Sequence, residues 1–112
     1  MGMAAEVTIL LACRNGARHL PAQLASIAAQ QDVTWAMVAG DDGSSDGTWA
    51  LLETFSRDWP GRVRLVHGPQ AGIAAHFLQL LALAGPGAVA FADQDDLWRP
   101  GKLAEADRKS VV

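Results

Sequence analysis

The chain has 112 residues, half of them apolar, and a formal net charge of -3 at pH 7. That is the size and composition of one globular domain, and nine Lys and Arg against 12 Asp and Glu exclude a surface that tracks nucleic-acid phosphates. The sequence has no apolar stretch long enough to span a bilayer, and its first residues lack the pattern of a signal peptide. We therefore expect a cytoplasmic protein. A single cysteine, Cys13, excludes an intrachain disulfide and is expected to be a small buried packing residue.

Apolar runs of strand length alternate with segments of helical periodicity along the whole chain, which predicts βαβ units and a parallel sheet. Four strands are predicted, at 7–13, 34–39, 63–67 and 88–92. The first helix is predicted at 19–30, and the second starts from a cap at Ser45 or Asp46 and stops at Pro60. These elements form one domain covering residues 1–112.

The third helix is predicted to bury one apolar face, and the fourth strand is predicted to be buried on both faces. The apolar face expected on this helix consists of Ile73, Phe77, Leu80, Leu81 and Ala84. The strand that follows is apolar at every position, which is typical of a central parallel strand buried on both faces.

The order of the strands determines where a ligand would bind. Right-handed crossovers place the first three strands in the order 3-2-1. If the fourth returns to pair with the first, the order becomes 3-2-1-4 and the winding reverses between strands 1 and 4, which is where open α/β sheets bind ligands. We predict this order in a three-layer α/β/α, Rossmann-like fold with a mainly parallel sheet.

Two acidic segments follow predicted strands. Asp41-Asp42-Gly43-Ser44-Ser45-Asp46-Gly47 comes after strand 2, and Asp93-Gln94-Asp95-Asp96 comes after strand 4. Carboxylates this crowded repel one another, and a hard divalent cation such as Mn²⁺ or Mg²⁺ among them would relieve that repulsion. In the predicted strand order both segments flank one crevice, which points to a nucleotide-sugar site.

Three segments in this order, Val7–Gly16, Ala39–Thr48 and Phe91–Pro100, closely resemble the family-2 inverting glycosyltransferases of the GT-A fold. The similarity covers nearly the whole chain. Its Asp-Gln-Asp-Asp-Leu-Trp segment is similar to that of bacterial rhamnosyltransferase-type members that act in cell-surface polysaccharide synthesis. The resemblance implies metal-assisted, inverting transfer of a sugar from a UDP- or dTDP-sugar to a saccharide or lipid-linked acceptor, at the inner face of the membrane.

The resemblance also implies roles for particular positions. The nucleotide-sugar-binding set is Ala12, Cys13, Arg14, Asn15, Asp42 and Asp93, and the metal-binding set is Asp95, Asp93 and Asp96. Asp42 matches the carboxylate that accepts a hydrogen bond from the nucleobase imide, and Asp95 matches the metal-binding aspartate of the DxD motif. Arg14 stands where the family commonly has Tyr, so a guanidinium plane would replace the aromatic ring on the base. His76 stands where Asn is common, and by itself it is expected to be a surface or satisfied packing residue.

No catalytic base is found in the sequence. In the family that carboxylate lies in the acceptor-binding half, beyond residue 112, so the chain is expected to be a truncated domain with little or no transferase activity alone. Two alternatives stay open: a non-catalytic fragment that binds nucleotide or self-associates as a homo-oligomer, and a receiver-like signalling domain. The receiver fits poorly because strand 1 ends without an acidic pair.

Overall fold

The structure is a computed structural model that describes residues 5–92 and 97–104. Its elements in chain order are β1 (Val7–Cys13), α1 (Leu20–Ala28), β2 (Trp35–Asp41), α2 (Thr48–Asp58), β3 (Val63–His67), α3 (Ile73–Ala84) and β4 (Ala88–Ala92). The predicted alternation is confirmed, and β1, β3 and β4 have the predicted bounds. Within the described ranges, no helix is long and apolar enough to cross a membrane.

The four strands form one parallel sheet in the order β3-β2-β1-β4, as predicted. Cys13 pairs with Asp41, and Asp41 pairs with His67, so β1, β2 and β3 end level with one another. On the other side of β1, Ala92 at the end of β4 pairs with Leu11. All four carboxyl ends therefore lie at one edge, and the winding reverses between β1 and β4.

Side-chain alternation along the strands creates a core on each face of the sheet. Odd-numbered residues of β1 and β2 pack against α1 and α2, whereas even-numbered residues pack against α3. The first core includes Ile9, Leu11, Leu24, Ile27, Trp35, Met37, Leu52 and Phe55. The second includes Leu10, Ala12, Val38 and Leu80. These two cores confirm the three-layer α/β/α arrangement.

β2 runs two residues further than predicted. Gly40 and Asp41 continue the ladder opposite Ala12 and Cys13 of β1, although their sequence is typical of a turn. Sheet pairing on both sides of β2 overrides that local preference. The extension makes Asp41 the last strand residue and Asp42 the first residue beyond the sheet. α1 is shorter than predicted, ending at Ala28.

The predicted burial of α3 and β4 is partly wrong. Ile73 and Leu81 were expected in the core, but Ile73 is 63% exposed and Leu81 is exposed as well, whereas His76 and Leu80 are the buried residues of α3. α3 is apolar nearly all round, so periodicity did not determine which face it buries. β4 is an edge strand of the described sheet rather than a central one, and its Phe91 is 52% exposed.

The cap of α2 is Gly47 rather than the predicted Ser45 or Asp46, but Asp46 still binds the first turn of the helix. Its Oδ1 accepts hydrogen bonds from the Thr48 amide at 3.0 Å and from Thr48 Oγ1 at 2.5 Å. Gly47 occupies the cap position itself and supplies no side chain. The Asp46 carboxylate thus satisfies one of the amides that the first helical turn leaves unpaired.

Arg62 stabilises the amino-terminal end of the sheet. Its guanidinium lies 4.3 Å from the ring centroid of Trp35 and 4.8 Å from that of Trp59, and its Nε donates to the Trp35 carbonyl at 2.9 Å. Two cation–π contacts and one hydrogen bond predict that Arg62→Ala lowers the free energy of unfolding by about 2 kcal/mol. Urea denaturation measures this loss, and Arg64→Ala, which replaces an exposed arginine on β3, is the control. Equal losses in the two variants would contradict it.

Candidate functional site

A cleft of about 390 Å³ opens at the carboxyl ends of β1 and β2. It is lined by Ala12, Cys13, Arg14, Asp42, Gly72, Ile73 and His76. Four residues predicted for nucleotide-sugar binding, Ala12, Cys13, Arg14 and Asp42, are therefore brought together. The start of α3 supplies the remaining wall.

Asp42 is the acidic residue that faces this cleft. It is 7% exposed, and its amide donates to the Cys13 carbonyl at 2.8 Å, which ties it to the end of β1. Its Oδ1 accepts a hydrogen bond from the Gln70 amide at 2.6 Å. The first contact fixes the backbone and the second holds the carboxylate, so Asp42 is an ordered hydrogen-bond acceptor in the cleft.

The other two carboxylates of the same loop have structural roles. Asp41 Oδ1 accepts from the Ser44 amide at 3.1 Å and from the Ser44 hydroxyl, which folds the turn after β2. Asp46 accepts from Thr48, as described, and from the Ala17 amide at 3.2 Å. The Thr48 hydroxyl in particular lowers the pKa of Asp46 because it stabilises the charged form. Asp42 is thus the member of the loop available to a ligand.

Asn15 lies beside the cleft and holds the acidic loop in place. Its side-chain Oδ1 accepts from the Ser45 amide at 2.8 Å, and its backbone amide donates to Ser44 Oγ at 2.7 Å. Its φ of 50° is in the left-handed region, which Asn tolerates better than most residues. The structure places Asn15 outside the cleft lining, as a support for the loop that carries Asp42.

Cys13 is a packing residue, as expected. Burial, and secondarily the charge of Asp41, raises the pKa of its thiol to about 12. Because the thiolate is the reactive form, we expect Cys13 to resist a thiol reagent at pH 8 in the folded protein and to react rapidly in denaturant. Rapid labelling of the native protein, measured by mass spectrometry, would contradict this placement.

His76 differs from its expected role as a surface or satisfied residue. It is 1% exposed, it lines the cleft, and its Nε2 has no hydrogen-bond partner in the described part of the chain. A Cβ on Gly40 or Gly68 would lie closer than 3.0 Å to Nε2, so both glycines are needed where they stand. The sequence carried no sign of this arrangement, because the three residues lie on separate elements.

The predicted metal ligands Asp93, Asp95 and Asp96 lie outside the described residues. On one side of them, Ala92 ends β4 next to β1. On the other, Trp98 is buried, with its amide donating to Ser26 Oγ at 3.0 Å, so it packs against α1. Across residues 5–92 and 97–104, no three His, Cys, Asp or Glu side chains converge in a way that could hold a metal ion.

The fold and the site together define an open α/β domain with a cleft at the carboxyl ends of its strands, where such sheets usually bind ligands. The sequence profile described as glycosyl transferase family 2 matches residues 8–106. This match covers most of the chain, which therefore belongs to glycosyl transferase family 2.

Individual relatives agree with that assignment. The chain is 29% identical over 98 residues to an uncharacterized glycosyltransferase of Nostoc sp., covering 88% of this chain and 30% of that protein. It is 30% identical over 101 residues to the dTDP-rhamnosyl transferase RfbG of Shigella flexneri, covering 86% of this chain and 35% of RfbG. The chain thus spans about a third of the length of these relatives.

Solved structures share the fold. The mannosyltransferase PcManGT from Pyrobaculum calidifontis, solved with GDP-Man and Mn²⁺, superposes with a TM-score of 0.84 at 25% identity, over 95% of this chain and 32% of that one. TarS from S. aureus, solved with UDP, gives a TM-score of 0.76 at 21% identity, over 92% of this chain and 31% of that one. The GT-A fold expected from the resemblance is therefore confirmed.

Proposed function

We propose that this chain is the donor-binding portion of a glycosyltransferase that moves a sugar from a UDP- or dTDP-sugar to an acceptor hydroxyl with inversion. The observation that carries the proposal is the buried, oriented carboxylate of Asp42 in a cleft at the carboxyl ends of β1 and β2. The dTDP-rhamnosyl transferase relative supports a dTDP-sugar as donor. We further propose a role in cell-surface polysaccharide synthesis, with a saccharide or lipid-linked acceptor at the cytoplasmic face of the membrane.

Four residues of the cleft have definite tasks in this proposal. Asp42 accepts a hydrogen bond from the imide N–H of uracil or thymine, because an ionised carboxylate offers acceptors only. The backbone of Ala12 and Cys13 forms the wall beside the base. Arg14, exposed at the rim, lays its planar guanidinium on the base in place of an aromatic ring.

Metal binding is proposed for Asp95 with Asp93 and Asp96, and Asp93 is also placed near the ribose and diphosphate. Mn²⁺ in the structure of the mannosyltransferase relative supports this proposal. A bound Mn²⁺ or Mg²⁺ would neutralise the charge that develops on the departing diphosphate. The chain's own contribution at the other end of the donor is to orient the base through Asp42.

We propose that the 112 residues alone do not turn over a donor. The chain spans about a third of its relatives, and acceptor binding and the catalytic base are assigned to the remainder. Sustained transfer to an added acceptor by this chain would contradict this part of the proposal.

Calorimetric titration tests the proposed function. UDP and dTDP are expected to bind in the presence of Mn²⁺, whereas CDP and ADP, which have no imide N–H, bind more weakly. Absence of binding by both UDP and dTDP to folded protein would contradict the proposal. Binding of a phosphoryl mimic such as beryllofluoride instead would favour the receiver-like alternative.

Self-association is a second candidate property, favoured by apolar side chains exposed around α3 and β4. They are Ile73, Leu78, Leu81 and Phe91. Phe91 meets Phe77 of α3 edge-on, with centroids 5.2 Å apart, so these side chains extend across the outer face of α3 to the edge of the described sheet. Light scattering tests this, and a monomer at high concentration would contradict it.

A further inference from the structure

The side chains of His76 and Asp42 both lie against Gly68. A Cβ on Gly68 would lie closer than 3.0 Å to Asp42 Oδ1 and 2.9 Å from His76 Nε2, so both atoms flank the same point. Gly40 of β2 also lies against the imidazole, since a Cβ there would overlap Nε2 as well. The buried, unpartnered nitrogen of His76 is therefore enclosed next to the carboxylate that faces the cleft.

Within residues 5–92 and 97–104, the neighbouring charges leave Asp42 as the anion on this side of the sheet. Asp41 belongs to the odd-numbered residues of β2 that face α1 and α2, and its carboxylate binds Ser44. His67 also lies on that opposite face, stacked on Trp49 at 4.0 Å. On the cleft side, Arg14 is the cation that shares the lining with Asp42 and His76.

We propose that His76 is a positioning residue for Asp42: a neutral imidazole leaves the carboxylate to the nucleobase, and a protonated one binds the carboxylate and closes that end of the cleft. The inference rests on the proposed function, because it concerns how the base-reading carboxylate is made available. It adds that nucleotide affinity falls at acidic pH because of this chain's own residues.

The neutral and protonated forms of His76 require different partners. Burial lowers the pKa of His76, while the charges of Asp42 and Asp41 act in the opposite direction, so the imidazole is neutral at neutral pH. A proton added to the ring creates a buried cation with two N–H donors, and such a cation needs an anionic partner. Asp42 is the adjacent carboxylate, and an imidazolium bound to it neutralises its charge and competes with the imide of the ligand for its oxygens.

Proton NMR on the ligand-free chain tests the contact itself. The His76 ring signal is assigned as the one lost in His76→Asn, and its titration midpoint is measured in the wild type and in Asp42→Asn. We expect Asp42→Asn to lower the midpoint, because the variant removes the charge that favours the imidazolium. An unchanged midpoint overturns the inference, whether or not a nucleotide binds.

The pH dependence of UDP binding with Mg²⁺ tests the consequence. Below the pKa of His76, the dissociation constant of the wild type should rise with falling pH, by at most about tenfold per pH unit. UDP itself titrates in this range. The dissociation constant of each protein is therefore divided by its own value at pH 8, and each variant is then compared with the wild type. His76→Asn should lose the extra acid dependence, and the control His67→Asn should keep it. The same acid dependence in His76→Asn overturns the inference, whereas no UDP binding at any pH contradicts the proposed function and leaves the NMR result to decide the contact.

Discussion

Asp42→Asn is expected to weaken UDP or dTDP binding by about 10- to 100-fold. A hydrogen bond to a charged group contributes about 1.5 to 3 kcal/mol, and the substitution removes the charge while retaining the size of the side chain. The Asn side chain can still accept from the Gln70 amide, so the loop after β2 should keep its conformation. Calorimetric titration of both nucleotides measures the loss.

Asp46→Asn is the matched control for Asp42→Asn. It removes the same charge from the same loop, but Asp46 is exposed and binds Thr48 and Ala17 rather than lining the cleft. We expect it to lower stability with little change in nucleotide affinity. If both variants lost affinity equally, the loss would reflect the net charge of the loop and not a specific acceptor at Asp42.

Gly40→Ala is expected to lower the free energy of unfolding by about 3 kcal/mol, the upper end of the usual cost of overpacking. The added methyl group would overlap His76 Nε2 and lie 3.1 Å from both His76 Cε1 and Leu80 Cδ2. The imidazole has little room to move because Gly68 also lies close to Nε2. Urea denaturation measures the loss.

Two further variants test the reason for that loss. Gly47→Ala adds a methyl group where nothing lies within 4 Å, at a negative φ, and should cost less than about 1 kcal/mol. In the Gly40→Ala background, His76→Ala removes the overlapping ring, so the double variant should lose less stability than the two single losses combined. Additive losses would show that the ring of His76 is not what Gly40 accommodates.

The parts of the fold that the sequence predicted are those where local pattern and topology agree. Alternating apolar runs predicted the bounds of β1, β3 and β4, and crossover handedness predicted the order of the first three strands. Because parallel strands end at one edge, Asp42 and the residues after β1 were expected to meet, and they do. The chemistry of the acidic loop was less predictable, since Asp41 and Asp42 are adjacent in sequence yet one folds a turn and the other faces the cleft.

The features that the sequence did not predict depend on contacts between distant elements. α3 is apolar on several faces, and its buried face, with His76 and Leu80, is selected by the shape of the sheet beneath it. The room for His76 comes from Gly40 and Gly68, and no local pattern links these three residues. β4 was expected to be central because it is apolar at every position, but composition does not reveal which strands have neighbours.

The central claim, that the cleft beside Asp42 receives a nucleoside diphosphate, is tested most directly by mapping the bound nucleotide on the protein. In a backbone amide NMR titration with UDP and Mg²⁺, we expect the largest shifts at Ala12, Cys13, Arg14, Asp42 and Gly72, the lining of this cleft. A second cleft lies at the opposite end of the sheet, around Trp35 and Arg62, and serves as an internal reference. Shifts confined to that end, or no shifts at saturating UDP, would contradict the account.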